Sequence, residues 1–221
     1  MFRGDARTPE RIAADGVSTA GQGVQEAADR PERTVAFLVM DGNNEPVLRE
    51  PPVAGDEADT LLGSLERQRR TLAWKCGGVD ADGLRATVGA SAVTLGGLLR
   101  HLALVEDEMF SQRLLGNDPA PPLTAPAGAG PGWEWRLTAD DTPERLMALW
   151  EEAVARSRAN VRQALEAGGL GGASAYTSSR GETPSLRRLL IDMVEEYARH
   201  VGHADLIRES VDGLVGEDPP W

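Results

Sequence analysis

Apolar residues recur at three- and four-residue intervals in four segments of the chain, and this spacing predicts four amphipathic helices. The segments run from about Asp56 to Lys75, from Thr94 to Leu115, from Asp141 to Gly168, and from Thr183 to about Val211. After residue 55, no convincing alternation of apolar and polar residues indicates a strand. Long helices joined by loops pack into bundles, so the predicted fold class is all-α, a four-helix bundle.

Helix-boundary residues support three of these starts. Thr94 is a suitable N-cap, and Thr142-Pro143 places a capping residue before a proline at the first helical position. Thr183-Pro184 predicts the same kind of start for the fourth helix. The second and third helices are separated by a loop from Asn117 to Ala139 that is rich in Pro, Gly and Ala. A loop of this length inside a compact domain is usually functional or flexible.

The N-terminal part of the chain has a different character. Residues 1–33 are polar and lack periodicity, which predicts a mostly disordered leader or a start codon assigned too early. Val35–Met40, a turn and Pro46–Leu48 predict a short hairpin, although an extended arm across the domain surface fits the same residues. The predicted organisation is therefore an N-terminal extension over residues 1–51 and the bundle over residues 52–216.

Composition narrows the class of partner. The formal net charge of −12 argues against a nucleic-acid partner, because phosphate binding needs clustered Lys and Arg. The N-terminus lacks an apolar signal sequence, and the longest early apolar run is too short to span a bilayer. The single cysteine, Cys76, excludes an intramolecular disulfide and favours a reducing compartment. We therefore expect a cytoplasmic protein without membrane partners, in which Cys76 is a buried small apolar residue rather than a nucleophile.

The chain has only three histidines, and all three fall on two predicted helices. His101 lies on the second helix, and Glu196, His200 and His203 lie on one face of the fourth, flanked by apolar residues at both ends. Burying these polar groups without partners would be costly. Either a metal ion or a hydrogen-bonded polar cluster resolves that cost. The spacing favours a metal ion held by His101, Glu196 and His200, which leaves coordination positions open. His203 fits three roles: a ligand in place of Glu196, a partner of another ligand, or a catalytic base.

Three separated motifs carry a family resemblance. The segments Leu65–Cys76, Thr94–Leu102 and Glu195–Asp205 resemble, in order, the first, second and fourth helices of DinB-like proteins of actinobacterial type. The resemblance covers residues 52–216 and implies a metal-binding four-helix bundle that is often a homodimer. It also implies the branch described as mycothiol-dependent transferases. Many DinB-like proteins have His where this chain has Glu196, and a Glu there resembles the mycothiol-dependent isomerases instead.

The histidine pattern predicts a metal site, and the resemblance implies a metal-dependent S-transferase that adds mycothiol, a low-molecular-weight thiol, to a small electrophile. Zinc is the expected ion, with His101, Glu196 and His200 as ligands and His203 as the candidate catalytic residue that accepts the thiol proton. The electrophile would enter an apolar pocket walled by one or more of three tryptophans: Trp133, Trp135 and Trp150.

Two other functions use the same residues. The first is a metal-dependent hydrolase or isomerase, which would need no added thiol. The second is a non-enzymatic metal-binding stress protein, for which a closed shell of four ligands that includes His203 would be typical. Arg199, Asp205 and Arg208 lie near the same end of the fourth helix. Together they could bind a polar substrate, but the expected interpretation is that they are surface charges.

Overall fold

The computed structural model describes residues 38–40 and 46–220. Within these ranges the fold contains four long helices and one short one, which confirms the prediction of an all-α four-helix bundle. The predicted leader over residues 1–33 lies outside the described residues, and the domain boundary at residue 51 stays a prediction. The helices are α1 (Glu57–Cys76), α2 (Ala81–Arg85), α3 (Leu95–Asp107), α4 (Pro143–Gly168) and α5 (Leu186–Asp212).

The long helices form two closely packed pairs, α1 with α5 and α3 with α4. Further contacts between α3 and α5 and between α1 and α3 close the bundle around a core of leucines and other apolar residues. The contact between α3 and α5 is the one that concerns the candidate site, because these two helices carry all three histidines. In the part of the chain that the structure describes, no helix is long and apolar enough to cross a membrane.

Side-chain caps fix where the helices begin. The carboxylate of Asp56 accepts a hydrogen bond from the amide of Asp59 at 2.8 Å, and the Thr94 hydroxyl accepts one from Gly97 at 3.0 Å. Thr142 caps α4 with Pro143 at its first position, as predicted.

The fourth predicted helix begins later than Thr183, and this corrects the sequence-based boundary. Ser185 is the N-cap of α5, and its side chain accepts from the amide of Arg188. Pro184, the residue before it, makes a loop contact instead of a helical one, because its carbonyl accepts a hydrogen bond from the Ser174 amide at 2.9 Å. Ser185 also forms an isolated antiparallel bridge with Ala173. Thr183-Pro184 therefore ends a loop instead of starting the helix.

The helix that carries His101 changes its winding after Asp107. Residues Glu108–Arg113 form a π-helical segment, and helical structure then continues to Leu115. The predicted extent, Thr94–Leu115, is therefore confirmed, but its winding is not uniformly α-helical. The Asp107 carboxylate lies at the junction and accepts hydrogen bonds from the Gln112 side chain and the Ala120 amide. Segments of π-helix inside α-helices are frequent at functional sites.

A short antiparallel hairpin precedes the bundle. Leu38–Met40 pairs with Pro46–Leu48, so the structure has the predicted hairpin rather than an extended arm over these residues. The chain then passes so close to α1 that a Cβ atom on Gly63 would lie 2.6 Å from the backbone of Pro51. Glycine at position 63 permits this contact between the segment and the helix.

A polar cluster crosses the bundle interior and ties all four long helices together. It contains two arginines, two glutamates and two aromatic residues: Glu66, Arg69, Glu106, Trp150, Arg158 and Tyr197. Its four ionised groups carry equal numbers of positive and negative charges. Buried charges are tolerated when each one is paired and hydrogen-bonded, and this cluster satisfies that condition.

The centre of the cluster is the Glu106 carboxylate, which is fully buried. Arg69 donates to both of its oxygens, at 2.8 and 2.7 Å, and Tyr197 donates its hydroxyl proton at 2.7 Å. The Trp150 indole N–H in turn donates to the Tyr197 hydroxyl oxygen at 2.9 Å. Burial and the neighbouring Glu106 carboxylate raise the pKa of Tyr197 well above its ordinary value, so its hydroxyl remains a donor.

Candidate metal centre

Three of the four predicted site residues come together between α3 and α5. The Nε2 atoms of His101 and His200 lie 3.0 and 3.1 Å from the same oxygen, Oε1 of Glu196. One ligand atom from each residue lies within 4.8 Å of the other two. Glu196 and His200 are one turn apart on α5, so both face α3, where His101 completes the group.

The group lies at the edge of the bundle interior. The side chains of His200, His101 and Glu196 are 10%, 20% and 25% exposed. The three side chains are therefore mostly buried, while part of each remains accessible to solvent. A site of this kind can admit a small molecule without a large rearrangement.

Trp135 covers one face of the group. Its ring stacks on the His101 imidazole, with centroids 4.5 Å apart and an interplanar angle of 26°, and lies 6.0 Å from the His200 ring. A short 3₁₀ turn, Trp133–Trp135, brings the indole from the long loop onto α3. The turn approaches α3 at Gly97, where an added Cβ would lie 3.1 Å from the Trp135 ring. Glycine at position 97 therefore allows the indole to reach His101.

The local electrostatics favour an anionic Glu196 and a neutral His200. Desolvation opposes ionisation of Glu196, but the hydrogen bond with His101 and the nearby His200 outweigh it, and the pKa of Glu196 is lowered. Burial and the neighbouring His101 lower the pKa of His200 despite the attraction of Glu196. A carboxylate and a neutral imidazole are the protonation states that metal ions bind.

His203 contacts His200 on its other ring nitrogen. The Nδ1 atoms of the two residues are 3.3 Å apart, and the rings are tilted with centroids 5.3 Å apart. The structure thus places His203 beside a candidate ligand and outside the group of three converging ligand atoms. Its catalytic role stays a prediction.

The chemistry of the donor set fits a divalent transition-metal ion. Two imidazole nitrogens and one carboxylate oxygen form a set that zinc binds in proteins, with ligand atoms roughly 3 Å apart around the ion. The separations of 3.0 and 3.1 Å between Glu196 and the two histidines match that spacing. A site with three protein ligands also leaves a position for a further group, as catalytic zinc sites do.

A groove of about 320 Å³ borders Glu196. It contains the apolar side chains of Val105 and Met109, and its polar groups come from the π-helical segment and from α5. The lining residues besides these two are Glu108, Asp192, Glu195, Glu196 and Arg199. The sequence patterns did not single out Glu108, Asp192 or Glu195. The position of Asp192, four residues before Glu196 on α5, is a signal that could have found it. The place of Glu108 in the groove lining depends on how the helix that carries it packs against α5, which helical spacing does not reveal.

The three tryptophans named from the sequence have different positions. Trp135 lies against His101, as described, and Trp133 lines a separate cleft. Trp150 is a core residue that is 4% exposed and bonded to Tyr197, so it does not wall a pocket at the site. Cys76 is 2% exposed, and burial raises its pKa to about 12, which confirms the prediction of an inert buried residue.

The charges near the end of α5 have structural partners. Asp205 pairs with Lys75 at 2.9 Å. Arg208 is 7% exposed, which contradicts its interpretation as a surface charge. Its guanidinium donates to the carbonyl oxygens of Lys75 and Gly77, at the C-terminal end of α1. It therefore satisfies carbonyl groups that a helix end leaves without intrahelical partners.

Comparison with protein families relates most of the chain to a known family. The family model described as Mycothiol-S-transferase matches residues 60–213, which fall within the range 52–216 that resembles DinB-like proteins. The matched range includes all four predicted site residues, the Trp133–Trp135 turn and the π-helical segment. No curated protein and no solved structure matches the chain.

Proposed function

Because the chain belongs to the mycothiol S-transferase family, we propose that it transfers mycothiol to a small electrophile, with a divalent metal ion bound at His101, Glu196 and His200. The observation that carries this proposal is the convergence of two imidazole nitrogens on one carboxylate oxygen at a partly open site. Zinc fits the donor set best among common cellular ions. In such a site the ion lowers the pKa of a thiol that binds it, and so supplies a thiolate near neutral pH.

The protein residues prepare this site in three ways. Glu196 brings a negative charge that offsets part of the charge of the ion. Trp135 covers the His101 ring and excludes water from that face. His203 contacts the Nδ1 atom of His200 and thereby fixes the orientation of the ring, leaving Nε2 free to bind the ion. We therefore propose that His203 positions His200, as an alternative to the predicted catalytic role in which it accepts the thiol proton.

The groove beside Glu196 suits the thiol cosubstrate. Mycothiol is a sugar conjugate, and its hydroxyl groups can donate hydrogen bonds to the carboxylates of Glu108, Asp192 and Glu195. The groove lining carries four carboxylates against one arginine, Arg199, although Arg113 and Arg188 pair with Glu108 and Asp192 from outside it. This negative balance would disfavour a thiol such as glutathione, which carries carboxylates of its own. Val105 and Met109 add an apolar surface to the same groove.

In the proposed reaction the sulfur forms a bond to the electrophilic carbon as the leaving group departs with its electron pair. The thiol proton passes to solvent. The reducing cytoplasm, where a low-molecular-weight thiol persists, is the compartment that we propose. A homodimer is proposed only from the resemblance to DinB-like proteins.

The test combines metal content with product formation. We expect the wild-type protein, purified without a His tag, to hold close to one metal ion per chain by mass spectrometry. The His200→Ala and Glu196→Gln variants should lose most of it. Glu195→Gln is the matched control, because it makes the same change on the neighbouring exposed glutamate and should retain the metal.

Product formation is then measured with mycothiol and a chlorodinitrobenzene, with glutathione in a parallel reaction. We expect an S-aryl conjugate of mycothiol, loss of activity with a chelator, and little product with glutathione. Equal turnover with both thiols would contradict the assignment of the groove. Turnover without any thiol would favour the hydrolase or isomerase function. A wild-type protein that holds no metal, even after reconstitution, would reject the metal site.

A further inference from the structure

A second and larger cleft lies beside the N-terminal half of α4. Its volume is about 550 Å³, within the range of small-molecule sites, and its walls come from α3, α4 and the loop that carries Trp133. None of its lining residues is shared with the groove beside Glu196. The residues that matter below are three arginines, one aspartate, one tryptophan and two leucines: Arg100, Trp133, Arg136, Asp141, Arg145, Leu146 and Leu149.

The cleft is positively charged in a strongly acidic protein. It has three arginines against a single carboxylate, Asp141, while the whole chain carries a net charge of −12. Asp141 is engaged by Arg100, which also donates to the carbonyl oxygen of Arg136 at 3.1 Å. Because Arg100 and Asp141 pair with each other, Arg136 and Arg145 are the charged groups of the cleft that a ligand can bind.

Arg136 and Arg145 are held by backbone carbonyl groups. Arg136 donates to the carbonyls of Pro131 and Ala129, and Arg145 donates to that of Asp140 at 3.0 Å. Over residues 38–40 and 46–220, neither arginine pairs with a carboxylate. Their positions are thus fixed by neutral acceptors, and their charges are not neutralised. Guanidinium groups in this state bind carboxylates and phosphates strongly.

The rest of the cleft offers apolar contact. The Trp133 ring is stacked below the Arg100 guanidinium at 5.8 Å, and Leu146 and Leu149 project from α4. Leu146 is 2% exposed and forms part of the core, so this wall is rigid. An aromatic ring and aliphatic side chains next to cationic groups suit a ligand that has both an apolar body and a negative charge.

We propose that this cleft binds a small organic anion with an aromatic or aliphatic body, whose carboxylate or phosphate pairs with Arg136 and Arg145. The body of the ligand packs against Trp133 and Leu149. This site differs from the metal centre and does not depend on the thiol-transfer proposal. The two are neighbours in the fold, because Arg100 precedes His101 on α3 and Trp133 shares its turn with Trp135.

The test is calorimetric titration with 2-naphthoate and phenyl phosphate as anionic probes, and with 2-naphthamide as a neutral analogue of the first. We expect at least one anionic probe to bind the wild-type protein, and 2-naphthamide to bind at least roughly tenfold more weakly than 2-naphthoate. Arg145→Ala should weaken anion binding roughly tenfold or more, whereas Arg145→Lys should retain most of it. Arg180→Ala is the matched control, because it removes one exposed positive charge outside the cleft lining.

Several outcomes would overturn the proposal. They are failure of both anions to bind at millimolar concentration, equal binding of 2-naphthoate and 2-naphthamide, and equal effects of Arg145→Ala and Arg180→Ala. Both arginines are exposed, so folding of each variant is checked by its unfolding transition. The His200→Ala variant separates this proposal from the first, because it should lose metal and still bind the anion.

Discussion

Tyr197→Phe tests whether the buried polar cluster contributes to stability as its geometry implies. The substitution removes one oxygen atom and keeps the ring. Two hydrogen bonds are lost: the one that the hydroxyl donates to Glu106 at 2.7 Å, and the one that it accepts from the Trp150 indole at 2.9 Å. Both groups are buried, so no water replaces the missing oxygen without disturbing the packing.

The expected magnitude follows from these two losses. A hydrogen bond to a charged group contributes about 1.5–3 kcal/mol, and an unpaired buried N–H group costs about 1–3 kcal/mol. The contributions overlap because Glu106 keeps both hydrogen bonds from Arg69. We therefore expect the free energy of unfolding to fall by about 2–4 kcal/mol, since the two losses are not fully additive. For a chain of this size, that corresponds to a Tm lower by about 5–15 °C.

The assay is urea unfolding followed by far-ultraviolet circular dichroism, in the presence of a chelator so that metal binding does not contribute. Tyr176→Phe is the control, because it makes the same change on the only other tyrosine, which is 42% exposed. The control should lie within about 0.5 kcal/mol of wild type. A Tyr197→Phe variant that loses less than about 1 kcal/mol, or no more than the control, would refute the proposed energetics of the cluster.

Three further outcomes are expected. Burial raises the pKa of Cys76 to about 12, so a thiol reagent at pH 8 should label the folded protein far more slowly than the urea-unfolded protein, and equal rates would contradict this. Gly63→Ala places a Cβ 2.6 Å from the Pro51 backbone and should lower the free energy of unfolding by about 1–3 kcal/mol. Gly202→Ala is the control in the same unfolding assay, because open space surrounds Gly202, and it should be neutral or stabilising. Desolvation disfavours the ionised form of Glu66, but two arginines outweigh this effect and lower the pKa of Glu66. The stability that ionised Glu66 contributes is therefore complete above its ordinary pKa of 4.5 and is lost as pH falls through the lowered value. Glu66→Gln should flatten the fall in unfolding free energy on the acid side, and an unchanged slope would contradict this contribution of Glu66.

The helices and the metal-ligand candidates could be predicted because both depend on local spacing. Apolar periodicity located all four long helices, and the cap residues Thr94 and Thr142 correctly marked two of their starts. Glu196 and His200 share a face by helical geometry alone. Placing His101 opposite them required only that the second and fourth helices be neighbours, which a four-helix bundle makes common.

The remaining features depend on contacts between residues distant in sequence. The Thr183 boundary failed because the Ser174 amide engages the Pro184 carbonyl, a contact that capping patterns do not encode. The short helix α2 was missed because five residues are too few to show periodicity. Glu106 and Arg69 are charged side chains on helices, and charged side chains are seldom buried unless they are paired. Only the packed bundle shows that they pair in its interior.

The stacking of Trp135 on His101 gives the protein an optical reporter of the proposed metal centre. With 4.5 Å between the ring centroids, an ion bound to His101 would lie within a few ångströms of the indole. Paramagnetic Cu²⁺ or Co²⁺ at that range would quench the emission of this tryptophan. Occupancy could therefore be followed by intrinsic fluorescence, without a label, during titration or exchange. A Trp135→Phe variant would remove the responsive part of the emission and leave the other four tryptophans as a constant background.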